Sequence, residues 1–248
     1  MSEVLRTWNA GASRVAPTWE LRPWPNDPTA MLLVFVDHTA LPSATDLDAA
    51  VARARTAGAR TLRTSALFPR AAEIAFAHGF APIDTLHLLR LRLDGTACSR
   101  IAELAASIGH NTRPLRAWHH TRAAEVDQDA FGPTWGNDAA SLADIRVATP
   151  RHRARMVLAE RRMVGFAISG WGGNSGYLQR VAVHREHRRR GVARTLVVDA
   201  LAWIARRPVT AAYVNTGLEN SAALALYEEL GFERLDERLT IAARDIAP

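Results

Sequence analysis

The chain has 248 residues, 48% of them hydrophobic, and a formal net charge of +6, which suits one large domain or two small ones with an ordinary core. It holds one cysteine and no run near the roughly 20 apolar residues that cross a bilayer, so a disulfide framework and a helical membrane span are excluded. All 31 basic residues are arginine, and they are scattered rather than clustered with aromatics on one face, so a nucleic-acid partner is not expected either.

In chain order, Met1 to Arg6 lacks a basic start followed by an apolar core, so no signal peptide is expected and the cytoplasm is the default compartment. Met31 to Val36 is apolar enough for a strand. Asp46 to Ala57 has a helical pattern behind capping residues, and Thr61 to Leu67 suits another strand. Ala71 to His78 reads as a helix that stops at Gly79-Phe80 and leads into a strand at Thr85 to Leu93. The glycines and Pro114 around Asp94 to Arg113, with a short helix-like stretch Arg100 to Ile108, read as a linker.

Beyond it, Leu115 to His119 is expected to be a strand, Thr121 to Ala130 and Ala139 to Ala148 helices, and Arg153 to Glu160 a strand. Gly170 to Gly176 reads as a hairpin turn. His119 and His120 are adjacent and face opposite ways on a strand, and His152, His110 and Cys98 are far apart in sequence, so no metal site is expected. Arg151, Arg153 and Arg155 alternate like one exposed strand face.

Leu178 to Val183 is strand-like and runs into His187-Arg188-Arg189-Arg190-Gly191-Val192-Ala193-Arg194. Val192, Leu196, Val197, Ala200, Leu201 and Ile204 then recur at helical spacing, so Gly191 opens a helix. A helix start offers unpaired N–H groups and the positive end of the dipole. Gly191 and Ala193 remove bulk above those groups, and neighbouring arginines add permanent charge. The turn is suited to a polyanion. Val209 to Asn215 follows as a strand, then Asn220 to Phe232 as a helix ending Tyr227-Glu228-Glu229-Leu230-Gly231-Phe232.

Arg188-x-x-Gly191-x-Ala193 after a strand, followed by Asn220-x-x-Ala223-x-x-x-Tyr227-x-x-x-Gly231-Phe232, resembles the GNAT superfamily of acetyl-CoA-dependent N-acetyltransferases over roughly residues 112 to 245. The resemblance implies an α/β (α+β) GNAT fold, a mixed, mostly antiparallel twisted sheet flanked by helices. It implies transfer of an acetyl group from acetyl-CoA to an amine of a small molecule or protein, with no metal. Val181, Ala182 and Val183 would accompany the pantetheine arm, Arg188, Arg189, Arg190, Gly191, Val192, Ala193 and Arg194 would hold the pyrophosphate, and Asn220 and Tyr227 would complete the cofactor site. Tyr227 would be the general acid. The family's frequent strand glutamate is missing from Tyr177 to Val183, which leaves Glu160 as a possible base and Tyr177 as a possible water-positioning group. Phe131, Trp135, Asn137 and Trp171 are candidates to shape the acceptor pocket. An acetyl-CoA-binding module without catalysis is the alternative function.

The first 95 residues repeat the order strand, helix, strand, helix, Gly-Phe, strand, without the arginine turn and with Phe76 where the later half has Tyr227. The expected division is therefore a degenerate GNAT-like domain at 1–95, a linker at 96–112 and a catalytic domain at 113–248, as in tandem GNAT proteins, with an unrelated small α/β domain as the alternative for 1–95, since a helix followed by Gly-Phe is also a common helix stop.

Overall fold

A computed structural model describes residues 19–36, 40–108 and 112–247. Its contacts form two units. The first takes the chain up to Leu89 together with Asn215–Ala225 and everything from Arg234 on; the second takes Arg90–Val214 with Leu226–Glu233. His110, Gly109 and Asn111 and the segment Met1 to Arg6 lie outside the described residues.

In the first unit, β1 (Trp19–Trp24) and β2 (Asp27–Phe35) form an antiparallel hairpin. The chain then crosses through α1 (Ala44–Thr56) to β3 (Thr61–Thr64), which lies parallel to β2 from Ala30↔Thr61 to Leu33↔Thr64. Helix α1 buries Leu47, Ala50, Val51 and Ala54, one stripe at spacings of three and four, against Leu33, Phe35 and Leu62. Its N-terminus is closed by its own side chains. The Asp46 N–H donates to Ser43 Oγ at 3.1 Å and the Ser43 N–H to Asp46 Oδ2 at 2.9 Å. Helix α2 (Pro69–Ala77) leads into β4 (Ala81–Arg92). The last strand, β10 (Glu233–Asp245), then enters the sheet between β3 and β4, giving the order β1-β2-β3-β10-β4. Ala242 and Ile246 join the first unit's core, so the C-terminal end of the expected 113–248 domain packs with the N-terminal half. Hydrophobic spacing shows that a strand exists there and not which sheet takes it.

The second unit begins with a helix where a linker was expected. Asp94 caps α3 (Gly95–Ser107) by accepting from the Ala97 N–H at 2.8 Å, and α3 buries Ile101 and packs on α6. The strand expected at Leu115 to His119 is also different. After the two-residue β5 (Arg113–Pro114), a bond from the Arg116 N–H to His119 Nδ1 at 3.0 Å folds Ala117–His119 into a 3-10 turn. Helices α4 (His120–Trp135, kinked at Gly132) and α5 (Ala139–Val147) follow. Then come the antiparallel strands β6 (Arg151–Ala159), β7 (Arg162–Gly172) and β8 (Ser175–Val183), the crossover helix α6 (Val192–Ile204) and the parallel strand β9 (Ala211–Gly217). The strand order is β9-β8-β7-β6-β5, the expected mixed and mainly antiparallel arrangement. Helix α7 (Ser221–Glu229) connects β9 to β10.

One face of this sheet packs Ala154, Met156, Phe166 and Ile168 under α4 and α5; the other packs Val157, Val164 and Ala167 under α6. Helix α6 fully buries Leu196 and Ile204, contributions of roughly 1.5–3 kcal/mol each. It can lie close because the strands beneath it carry glycine. A Cβ on Gly176 would meet Ile204 Cγ2 at 2.3 Å, and one on Gly165 would meet Val192 Cγ1 at 2.8 Å. Gly176→Ala should therefore lower stability by about 1–3 kcal/mol. An unchanged urea midpoint would mean that α6 retreats at no cost.

Candidate functional site

The site is built where β8 leaves its neighbours. Its parallel pairing with β9 covers Ser175↔Ala211, Gly176↔Ala212 and Tyr177↔Tyr213 and goes no further. From Leu178 onward, the edge of β8 that faced β9 has no partner strand among the described residues. At the same level the ladder with β7 is interrupted: Ile168 pairs with Arg180 and Ser169 with Leu178, so Gln179 is an extra residue. The bulge resets the alternation of side chains. Gln179 donates to the Ile145 carbonyl at 3.0 Å and its neighbour Arg180 reaches Asp127, so two consecutive residues turn toward the α4–α5 side. Val181 and Val183 pack on the α6 side, while Ala182 is buried under α4 and α5.

Beyond Val183, a 3-10 turn (Arg185–His187) leads to Arg188, Arg189 with φ 59°, and Gly191 with φ 78°. Gly191 is the N-cap of α6, and a Cβ there would meet nothing within 4 Å. Its glycine answers the left-handed backbone rather than crowding. Thr195 is the first residue of α6 whose N–H is used, by the Gly191 carbonyl at 2.9 Å. Among the described residues no acceptor meets the N–H groups of Arg189 to Arg194. Six donors, the exposed turn and the helix dipole form an anion cradle.

The arginines of the turn divide by task. Arg188 folds back, donating to the Ala130 carbonyl at 2.9 Å. Arg194 pairs with Glu229 at 2.5 Å, and Arg185 with Asp129 at 3.0 Å. Arg189 and Arg190 are exposed and carry no ion pair among the described residues, so their charge is available to a ligand. His184 and His187 stay beside the turn with rings 6.1 Å apart, His184 accepting from the Glu186 N–H at 3.3 Å.

Tyr227 lies on the buried face of α7, 6% exposed, its ring 5.6 Å from that of Phe232. Burial pushes its phenol up to about 12, so it stays protonated across the neutral range. Tyr177 marks the point where β8 and β9 part, with its ring 6.2 Å from that of Tyr213. Burial also raises Tyr177 to about 12, against an opposing hydrogen bond from Ser175. Asn220 caps α7, its Oδ1 accepting from the Ala223 N–H at 3.2 Å.

Glu160 is in a different place. With Arg161 it forms the exposed turn between β6 and β7, both at positive φ. From there to Ser169, opposite the bulge, β7 extends seven residues, roughly 23 Å. Order in the chain brought Glu160 forward as a base; the direction of the hairpin carries it away from the point where β8 and β9 separate. Trp171 is paired within the sheet, opposite Arg151 and Gly176, and the turn itself is Gly173-Asn174.

Phe131, Trp135 and Asn137 are brought together, around a pair the sequence did not reveal. Asp127, fully buried, accepts from Arg180 Nε at 2.7 Å and Nη2 at 2.6 Å, and from the Asn137 N–H at 2.6 Å. Arg180 also donates to the Trp135 carbonyl at 2.8 Å, and its guanidinium lies 3.6 Å from the Phe131 ring centroid. The loop is thus tied to the bulge by one ion pair. Fifty-three residues separate its members, with no spacing rule to link them. Among the described residues no group of three or more His, Cys, Asp or Glu could hold a metal ion.

An antiparallel meander feeding a parallel crossover, with a bulged strand and an open N–H turn at the crossover helix, defines a GNAT-type α/β domain. Residues 116–232, a little under half of the chain, match the acetyltransferase (GNAT) family. Over 95% of its length the chain is similar in fold to a tandem GNAT protein from the clavulanic acid biosynthesis pathway (TM-score 0.65, 19% identity, 80% of that chain). It also shares its fold with a GCN5-related N-acetyltransferase from Kribbella flavida (TM-score 0.59, 16% identity, 98% and 96%). In sequence, 74 residues, 30% of this chain, are 35% identical to the ribosomal protein bS18-alanine N-acetyltransferase of Salmonella typhimurium. The match spans half of that enzyme's length. Among the described residues no helix is long and apolar enough to cross a membrane.

Proposed function

We propose that the second unit is an acetyl-CoA-dependent N-acetyltransferase domain acting on the amine of a protein or small molecule. The observation that carries this is the continuous path from the unpaired edge of β8 to the unfilled N–H groups of Arg189 to Arg194. Bound acetyl-CoA would supply an acetyl thioester for direct transfer to the amine. The edge at Val181 and Val183 offers main-chain groups to the amide-bearing pantetheine arm, as a sheet edge does to an added strand. The turn and the side chains of Arg189 and Arg190 hold the pyrophosphate. Tyr227, protonated and fixed on a helix, delivers a proton to the departing thiolate. For the proton that the amine must lose, Tyr177 positions a water where β8 and β9 part, since Glu160 lies in the far turn.

The same domain without catalysis is the second reading, favoured by one observation: neither β8 nor β9 carries a carboxylate. Thermal shift with acetyl-CoA and thiol release with a panel of amines, including a peptide with N-terminal alanine, separate the two. A raised midpoint with turnover on at least one amine is expected. Binding with no turnover on any amine selects the second reading, and no binding removes both. Replacing Arg189 and Arg190 together by alanine should weaken acetyl-CoA binding by about tenfold or more and flatten its salt dependence.

We propose further that the first unit is a degenerate copy of the same plan. Its antiparallel hairpin, parallel crossover and helix with a Gly-Phe stop repeat the order of β7, β8, α6, β9 and α7. Its crossover helix α1 already spends its N-terminus on Ser43 and Asp46, and the Asp46 carboxyl is lowered by the Ser43 hydroxyl and so negatively charged. A phosphate has no place there. Residues 37–39 of the corresponding turn lie outside the described residues.

A further inference from the structure

The first unit leaves a strand edge open in its own sheet. Strand β10 lies between β3 and β4, but its ladder with β3 covers only Ala243–Asp245. Next along the strand, the Thr240 N–H and C=O bond to Leu67, each at 2.9 Å. Residues two apart on a strand turn their main-chain groups to the same edge. The N–H and C=O of Arg238 and Asp236 therefore face the side where β3 would continue, and no strand among the described residues meets them.

A groove of about 630 Å³ runs along that edge, walled by Pro69, Glu73 and Phe76 of α2 and by Asp236, Glu237 and Arg238 of β10. Phe76 is 38% exposed, among the larger hydrophobic groups left open to solvent. Three carboxylates face one guanidinium in a chain whose net charge is +6. None of Glu73, Asp236 and Glu237 has an ion pair among the described residues. The local field thus opposes that of the whole protein. An open edge takes a main chain, the carboxylates favour cationic side chains, and Phe76 favours apolar ones. An extended segment presents its side chains alternately, so it satisfies all three at once.

We propose that this groove docks an extended segment of a partner protein in which arginine or lysine alternates with apolar residues, added to β10 as a further strand. Nothing in this depends on catalysis by the second unit. The probe is a fluorescein-labelled peptide, Gly-Arg-Val-Arg-Val-Arg-Val-Gly, followed by anisotropy against the full chain. A peptide with glutamate for arginine and one N-methylated at alternate residues serve as controls. The first control tests charge and the second tests the main chain.

Two variants act on the protein side: Glu73→Gln with Asp236→Asn and Glu237→Gln, and Arg238→Pro, which removes an N–H on the open edge. Saturable binding is expected, weaker by about tenfold or more in each variant and with each control peptide. Should Arg238→Pro fail to fold by circular dichroism, the N-methylated peptide carries the main-chain test alone. Equal binding by both variants overturns the proposal. Loss confined to the charge variant and the glutamate peptide overturns it too, since attraction without strand addition is then sufficient. So does self-association of the wild type that Arg238→Pro abolishes, because the edge would then belong to a second copy.

Discussion

Asp127→Ala should cost about 3–5 kcal/mol of stability, the expected penalty for breaking a buried ion pair from one side. The carboxylate is fully buried, and the arginine it holds is only 18% exposed. Removing it leaves the Arg180 guanidinium with the Trp135 carbonyl and the Phe131 ring but no counter-charge, and strands the Asn137 N–H. The loss should be much smaller in Asp127→Ala combined with Arg180→Met, because both charges then leave together and an apolar stem fills the space. Urea unfolding of the two singles and the double completes the cycle. A loss under about 1 kcal/mol for Asp127→Ala would mean that water or another donor relieves the arginine. Because Arg180 follows the bulge at Gln179, the same variant should also disturb the strand that borders the proposed cofactor site.

What could be read from the sequence was local. The three-and-four spacing of α6 and the glycine at its start lie within one stretch of chain, and so did the expectation of an anion turn. The Gly-Phe stops were legible for the same reason: Gly79 and Gly231 take positive φ, and the Phe80 and Phe232 N–H groups close on Ala75 and Tyr227 at 3.1 and 2.9 Å. What stayed hidden depends on pairing across distance. The bulge at Gln179 exists only as a register between β7 and β8. The entry of β10 into the first unit's sheet, and the Asp127–Arg180 pair, leave no periodic trace. Even within the arginine run, composition did not separate Arg188 and Arg194, which hold structure, from Arg189 and Arg190, which face solvent. Proximity in sequence misled in the case of Glu160, because a hairpin returns along its own path and places the turn at the far end.

Tyr227→Phe should lower turnover by roughly a hundredfold or more while leaving acetyl-CoA affinity within about threefold, the signature of a group needed for proton transfer rather than binding. The ring is the part that packs, against Phe232, and phenylalanine keeps it. Burial holds the phenol at about 12, above the ordinary value near 10. Its proton is therefore present throughout the neutral range and is lost only as pH rises through that value. The same shift stabilises the fold fully below pH ~10 and withdraws that stability toward pH ~12, so an alkaline loss of activity in the wild type has to be separated from unfolding by circular dichroism. Such a phenol is a weaker acid than a free one, while an ordinary thiol has a pKa near ~8.5. The transfer is favourable only if the departing thiolate shares the desolvated surroundings that raise Tyr227, because burial raises the basicity of a thiolate as it does that of a phenolate. Exposing the site should then slow the reaction without touching Tyr227. Unchanged turnover in Tyr227→Phe would remove the phenol as the acid.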